Sequence, residues 1–224
     1  MSAESGPRAL PFRDRREAGR VLAGLLRHHA GRPEVLVLAL PRGGVPIGHE
    51  VARALGAPLD VFLVRKLGVP GHEELAMGAI ASGGVRALNP GVIATLHISP
   101  DAVDVIAARE EVELRRRERE YRGDRPPLDA RGRVVIIVDD GLATGATMRA
   151  AAASLRRHGA ERIVVAVPVA APETCQALAP EVDELICAAT PRPFEAVGSW
   201  YEDFSQIDDA EVREILRSAD TLPA

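Results

Sequence analysis

Val134–Val138 reads VVIIV, five consecutive β-branched aliphatic residues. β-Branching disfavours a helix and suits a pleated strand. An apolar side chain at every position, rather than every second one, means a strand covered on both faces. That is the habit of a parallel sheet sandwiched by helices. Similar runs stand at residues 35–40 (VLVLAL), 59–64, 162–167 and 183–187. Helical segments are predicted between and after them: 45–55, ended by Gly56; from Ser99-Pro100-Asp101 to about Tyr121; 146–158; 172–179; and a closing amphipathic helix at 208–218. Alternating strands and helices predict an α/β fold, an open, mostly parallel sheet with helices on both faces. Residues 67–91 are rich in Gly and broken by Pro70 and Pro90. They predict a long flexible loop with short β pieces around 76–81 and 92–96.

With 224 residues, 46% of them hydrophobic, the chain can bury one core, so a single domain over 1–224 is expected. Lys and Arg number 28 against 32 Asp and Glu, a net charge of −4. That balance excludes a disordered chain and predicts no nucleic-acid partner. The basic and acidic residues of REEVELRRRERE nearly cancel and can pair at i,i+4, as in Glu111–Arg115 and Glu113–Arg117, which marks a solvated helix. There is no apolar run of membrane-spanning length and no apolar leader segment at the N-terminus, so no membrane association is expected and a cytoplasmic location is. Cys175 and Cys187 are read as two reduced thiols.

The chemistry concentrates in residues 134–148, VVIIVDDGLATGATM. The strand ends in two adjacent carboxylates, Asp139 and Asp140. A loop of Gly141, Leu142, Ala143, Thr144 and Gly145 then enters a helix through Ala146 and Thr147. Ligands in open α/β sheets sit beyond the carboxyl ends of strands. Free N–H groups at a helix N-terminus, with threonine hydroxyls beside them, suit a phosphate. Two carboxylates at the same mouth would repel a bare phosphate. A sugar phosphate resolves the conflict, its hydroxyls donating to the carboxylates while the loop takes the phosphate. Neither GxxxxGK[ST] nor GxGxxG is present.

The run of a hydrophobic strand, DD and ATGAT in register resembles the fingerprint of the type I phosphoribosyltransferases, which bind 5-phosphoribosyl 1-pyrophosphate (PRPP) with Mg2+. The resemblance covers about residues 35–205. It implies that Asp139 and Asp140 hold the ribose hydroxyls and the metal, and that residues 141–147 hold the 5-phosphate. Leu40-Pro41-Arg42-Gly43-Gly44 resembles the family's pyrophosphate loop, so Arg42, Gly43 and Gly44 are assigned to substrate, and a cis peptide is implied at Pro41–Arg42. Arg65-Lys66, ending the second strand, resembles the cation pair that meets pyrophosphate in adenine phosphoribosyltransferases. Both are expected to face the acid pair as catalytic cations. Lys66 is the only lysine among the 28 basic residues, where Arg would have served for charge alone. The loop with His72, Glu73 and Glu74 matches the family's flexible catalytic loop, with a solvated loop tip as the alternative.

Four of the seven aromatic residues fall at Phe194, Trp200, Tyr201 and Phe204. The family binds its base under a C-terminal hood, here about residues 190–205, so Trp200 or Tyr201 is expected to stack on a planar acceptor and Asp203 to lie near the metal or the base edge. Closure of the core or of a dimer contact is the alternative use of these rings. Ala143 stands where 6-oxopurine enzymes of the family carry an Asp, and the adenine enzymes' Glu-Tyr is missing, so the acceptor is unassigned. The resemblance implies small-molecule substrates, leaves a homodimer open, and implies displacement of pyrophosphate at ribose C1 by a nitrogen nucleophile. A PRPP-binding regulator of the same fold without turnover is the other reading.

Overall fold

The computed structural model describes residues 10–220. The first nine residues of the N-terminal stretch on which the leader reading rests lie outside them.

Five parallel strands form the central sheet: β1 (Val35–Ala39), β2 (Leu59–Val61), and, after a second, smaller sheet, β6 (Val134–Val138), β7 (Arg162–Val169) and β8 (Glu184–Ala189). Their order is β2-β1-β6-β7-β8. The VVIIV strand is thus central, paired in register with β1 from Val35↔Val134 to Ala39↔Val138 and with β7 on its other side. Its alternate residues feed two cores. Val134, Ile136 and Val138 pack with Leu22 and Leu55 on one face, and Val135 and Ile137 with Met148 and Leu155 on the other. Those partners come from α1 (Arg15–Leu25) and α2 (Gly44–Leu55) on the first face and from α5 (Ala146–Arg157) on the second. Every residue of β6 is buried, which is why no polar alternation shows in its sequence.

Residues 67–91 are not a loop. β3 (Val64–Val69), β4 (His72–Ala81) and β5 (Val85–Leu88) form a three-stranded antiparallel sheet. Gly68 sits where β3 shifts register against β4, and a Cβ there would lie 2.9 Å from the Glu73 carbonyl oxygen. Gly68 and Gly78 thus serve close strand approach, whereas Gly71, Gly83 and Gly84 take positive φ at the turns. The segment read as a β piece at 92–96 is a short helix, α3 (Pro90–Thr95), capped by Asn89, which accepts from the Val92 N–H at 3.2 Å. The strand read at 59–64 ends at Val61, and Val64 already belongs to the second sheet, where it pairs with Ala81. Leu67, Met77 and Ile80 of this sheet bury against Val103, Ala107 and Leu114 of α4 (Pro100–Arg122). Ser99 caps α4, accepting from Ala102 N–H at 3.2 Å, and Gly123 ends it.

The thiols require a second correction. Cys175, on α6 (Pro172–Leu178), and Cys187, on β8, are paired through their sulfurs. Both elements border the same apolar cluster, and their packing brings together cysteines 12 residues apart. The closing helix is α7 (Asp209–Asp220), which lies against α2 and α4.

Candidate active site

The strand order reverses between β1 and β6, so the loops leaving their carboxyl ends diverge around a crevice. The loop after β1 carries Arg42, Gly43 and Gly44, and the loop after β6 begins with Asp139 and Asp140. The Pro41–Arg42 peptide is cis, as the resemblance implies. Gly43 lies against the Asp140 carboxylate, leaving no room for a Cβ. A Cβ on Gly44 would come within 2.6 Å of the Val138 carbonyl oxygen. Both glycines therefore permit contact between the two loops.

The acid pair is poorly solvated. Asp139 Oδ1 accepts from the Asp140 N–H at 2.9 Å. Burial, then the neighbouring Asp140, pushes the Asp139 carboxyl well above the usual carboxylate range. Burial also raises Asp140, against the pull of Arg15. Arg15 Nε donates to Asp140 Oδ2 at 3.0 Å, and its Nη1 donates to the Ser205 carbonyl at 2.8 Å. Its guanidinium carbon lies 3.9 Å from the centre of the Phe204 ring, a cation–π contact. Asp139 has no ion pair among the described residues.

Beyond the acids, the loop is held from outside and left open inside. Leu142 N–H donates to Val169 and its carbonyl accepts from Ala171, both at 2.9 Å. Thr174 Oγ1 donates to the Ala143 carbonyl at 2.5 Å. The N–H groups of Thr144, Gly145, Ala146 and Thr147, and the hydroxyls of Thr144 and Thr147, bond to no protein group among the described residues. Gly145, with φ +74, turns the chain into α5. Free donors at the positive end of a helix dipole form an anion cradle.

The expected cations separate. Arg65 and Lys66 are neighbours in β3, so their side chains leave opposite faces. Arg65 is tied to α4, its Nε and Nη2 donating to Glu110 Oε2 at 2.8 and 2.6 Å. Lys66 is exposed and has no ion-pair partner among the described residues. The expectation that both face the acid pair together is corrected by strand alternation. Arg42 Nη1 lies 3.8 Å from Asp209 Oδ1 on α7.

The C-terminal aromatics divide in the same way. Tyr201 is 6% exposed, and its hydroxyl donates to the Asp140 carbonyl at 2.6 Å. Burial first, then the nearby Asp140, pushes its pKa up. Packed between Phe12 and Phe204, it is a prop under the acid loop, and its expected stacking on a base is corrected. Trp200 is half-buried, stacked on Phe194 at 6.5 Å, with its Nε1 shielded and without a partner. Asp203 is exposed and accepts from the Ser205 N–H at 2.9 Å. Its carboxylate does not converge with Asp139 and Asp140 as a metal-ligand group among the described residues, which corrects its assignment to the metal. The group that does converge is His28, His29 and Glu184, on β8 and on the turn after α1.

Sequence reading passed over Arg15, Thr174 and Tyr121. Arg15 is one arginine among many; the only local signal was Asp14, which caps α1 and places Arg15 at its first position. Thr174 and Tyr121 carry no motif, and their roles follow from tertiary packing alone.

Comparison with known proteins gives the family. The family model of the phosphoribosyl transferase domain matches residues 15–186. A Mycobacterium tuberculosis protein provisionally named a phosphoribosyl transferase is 47% identical over 208 residues, 93% of this chain. The chain spans about half of that relative's length, 47%. The Chloroflexus aurantiacus bifunctional protein PyrR is 34% identical over 112 residues, 49% of this chain and 56% of that one. Among solved structures, TT1426 from Thermus thermophilus superimposes with a TM-score of 0.83 at 44% identity, covering 93% of this chain and 99% of the other. No helix among the described residues is long and apolar enough to cross a membrane. The chain belongs to the type I phosphoribosyltransferase family.

Proposed function

We propose that this chain transfers the 5-phosphoribosyl group of PRPP to a nitrogen acceptor, with a nucleobase as the acceptor class, and releases pyrophosphate. The observation that carries this reading is the meeting of three parts at one crevice: an acid pair, an anion cradle of free N–H groups and hydroxyls, and a glycine loop with an arginine. Asp139 and Asp140 accept hydrogen bonds from the ribose hydroxyls. The N–H groups and hydroxyls of residues 144–147 take the 5-phosphate. Arg42 and the loop of Gly43 and Gly44 take the pyrophosphate. The C1–oxygen bond to pyrophosphate breaks as the nitrogen bonds to C1, through a transition state with positive charge shared by the ring oxygen. Fixed cations then act on charge that develops on the leaving group.

Asp139 and Asp140 also fit a hard divalent cation. They are oxygen donors, both are half-buried, and Asp139 makes no ion pair among the described residues. Mg2+ bound with PRPP would neutralise part of the pyrophosphate charge. Trp200 offers the remaining ring for the acceptor.

The second reading, a PRPP-binding regulator without turnover, is favoured by Ala143, which supplies no group to activate an acceptor. One experiment separates the two. PRPP, Mg2+ and a panel of nucleobases are incubated with the protein, with PRPP binding followed by calorimetry. Pyrophosphate release with one base supports the transferase. Binding without release for any base supports the regulator. Absence of PRPP binding removes both.

A further inference from the structure

Between the pyrophosphate loop and α4 lies a cavity of about 110 Å³, lined by Pro41, Arg42, Leu63, Val64, Arg65, Arg117 and Tyr121. It is far larger than the ~15 Å³ that one water needs. Three guanidinium groups from three elements border it: Arg42 from the loop after β1, Arg65 from β3 and Arg117 from α4. Each is steadied by a different carboxylate. Glu110 holds Arg65, Glu113 accepts from Arg117 Nε at 2.9 Å, and Asp209 stands 3.8 Å from Arg42. Tyr121, buried at the cavity wall, donates to the same Asp209 oxygen at 2.6 Å. Glu110, Glu113, Arg117 and Tyr121 recur at helical spacing, so one stripe of α4 supplies this wall.

The three arginines keep donors in reserve. Arg42 makes only the long ion pair with Asp209. Arg65 commits Nε and Nη2, and Arg117 commits only Nε among the described residues. A planar guanidinium with free N–H groups matches phosphate oxygens. The carboxylates that restrain these groups bind through one edge and leave the others for a ligand.

We propose that Arg117 joins Arg42 and Arg65 in a three-arginine pocket that receives the pyrophosphate moiety of PRPP, with Asp209 holding Arg42 in place until that moiety arrives. This rests on the transferase reading for the identity of the whole substrate. Arg117 stands outside every motif of the sequence, on a helix that charge pattern marks as merely solvated.

The neighbouring Arg116 supplies the control. It shares Glu113, donating from Nε and Nη2 at 2.8 and 3.0 Å, and it does not line the cavity. Arg116→Gln and Arg117→Gln remove the same charge from the same helix, and each leaves Glu113 one arginine. Each variant is titrated calorimetrically with inorganic pyrophosphate, PRPP and ribose 5-phosphate, all with Mg2+, after a thermal melt. Loss of one charge-assisted contact predicts about tenfold weaker pyrophosphate and PRPP binding in Arg117→Gln. Ribose 5-phosphate binding should be retained, and Arg116→Gln should match wild type throughout. Equal effects of the two variants, or equal weakening of ribose 5-phosphate, overturn the proposal. If Arg117→Gln does not fold, Arg117→Lys keeps the charge without the planar fork, and unchanged pyrophosphate affinity there overturns it as well. Wild-type protein that binds pyrophosphate but not PRPP would leave the pocket standing and remove the transferase reading.

Discussion

Arg15 and Asp140 meet at 3.0 Å although 125 residues separate them. The first turn of α1 thereby supplies the only countercharge to the acid pair among the described residues. Side-chain exposures of 9% and 18% place the contact largely out of water. Arg15→Met should therefore destabilise the fold by about 3 kcal/mol, since it leaves a mostly buried carboxylate unpaired. Adding Asp140→Asn should return part of that loss, because the orphaned charge is then gone. Urea denaturation of both single variants and the double variant checks this. Strictly additive effects would show that the two side chains do not couple.

Tyr201→Phe deletes the donor to the Asp140 carbonyl and keeps the ring contacts with Phe12 and Phe204. The expected cost is about 1–2 kcal/mol, that of a buried acceptor left unsatisfied. Trp200→Ala should act differently, sparing PRPP affinity and weakening the acceptor. Trp200 is the only tryptophan, so its emission should change with an acceptor base and stay flat with PRPP alone. A tyrosine variant that loses base recognition at wild-type stability would reverse the roles given to these two residues.

The fold was legible where burial alone shapes the sequence. The unbroken VVIIV run announced a strand between two helical layers, and the acid pair with its ATGAT loop announced the crevice. Glycine misled at residues 67–91, because Gly68 relieves a close strand approach there rather than bending a loop. Arg65 and Lys66 looked like a pair in sequence, yet strand alternation sends them to opposite faces. Arg15 and Arg117 were illegible for another reason. In a chain whose cations are nearly all arginine, one that touches the site looks like any that does not. Only the packing of α1 and α4 against the strand ends distinguishes them.

Gly43→Ala tests how closely the two loops must approach. The new methyl would overlap the Asp140 carboxylate, so either the acid pair or the pyrophosphate loop must shift. PRPP affinity should fall by at least about tenfold, the equivalent of 1.4 kcal/mol. Gly56→Ala is the contrast. Gly56 ends α2 at φ +63 with nothing near its would-be Cβ, so its substitution should cost about 1 kcal/mol of stability and leave PRPP affinity unchanged. Calorimetry and thermal melts on both variants separate a site effect from a backbone effect.

Acid should weaken the fold through two shielded histidines. His29 is 2% exposed on the turn after α1 and His49 lies half-buried on α2; each keeps a shielded Nδ1 without a partner. Burial lowers both pKa values below 6.5. Around His29, His28 and Arg32 reinforce the lowering and Glu184 opposes it. Around His49, Arg16 and Arg53 reinforce it and Glu50 opposes it. Both rings therefore stay neutral in the folded protein at a pH where the unfolded chain already takes up protons. Their contribution to stability should be level above the unfolded value of 6.5 and fall as pH drops below it, toward the lower folded values. Each histidine contributes a slope of at most about 1.4 kcal/mol per pH unit. Asp139 and Asp140, raised by burial, take up protons in the fold ahead of the unfolded chain and act in the opposite sense. The histidine effect is therefore read as the difference between wild-type and His→Gln urea midpoints from about pH 8 to about pH 5.5. His29→Gln should flatten the slope without removing it, since His49 remains. A slope equal to wild type in His29→Gln and in His49→Gln would mean that neither ring is held neutral by burial.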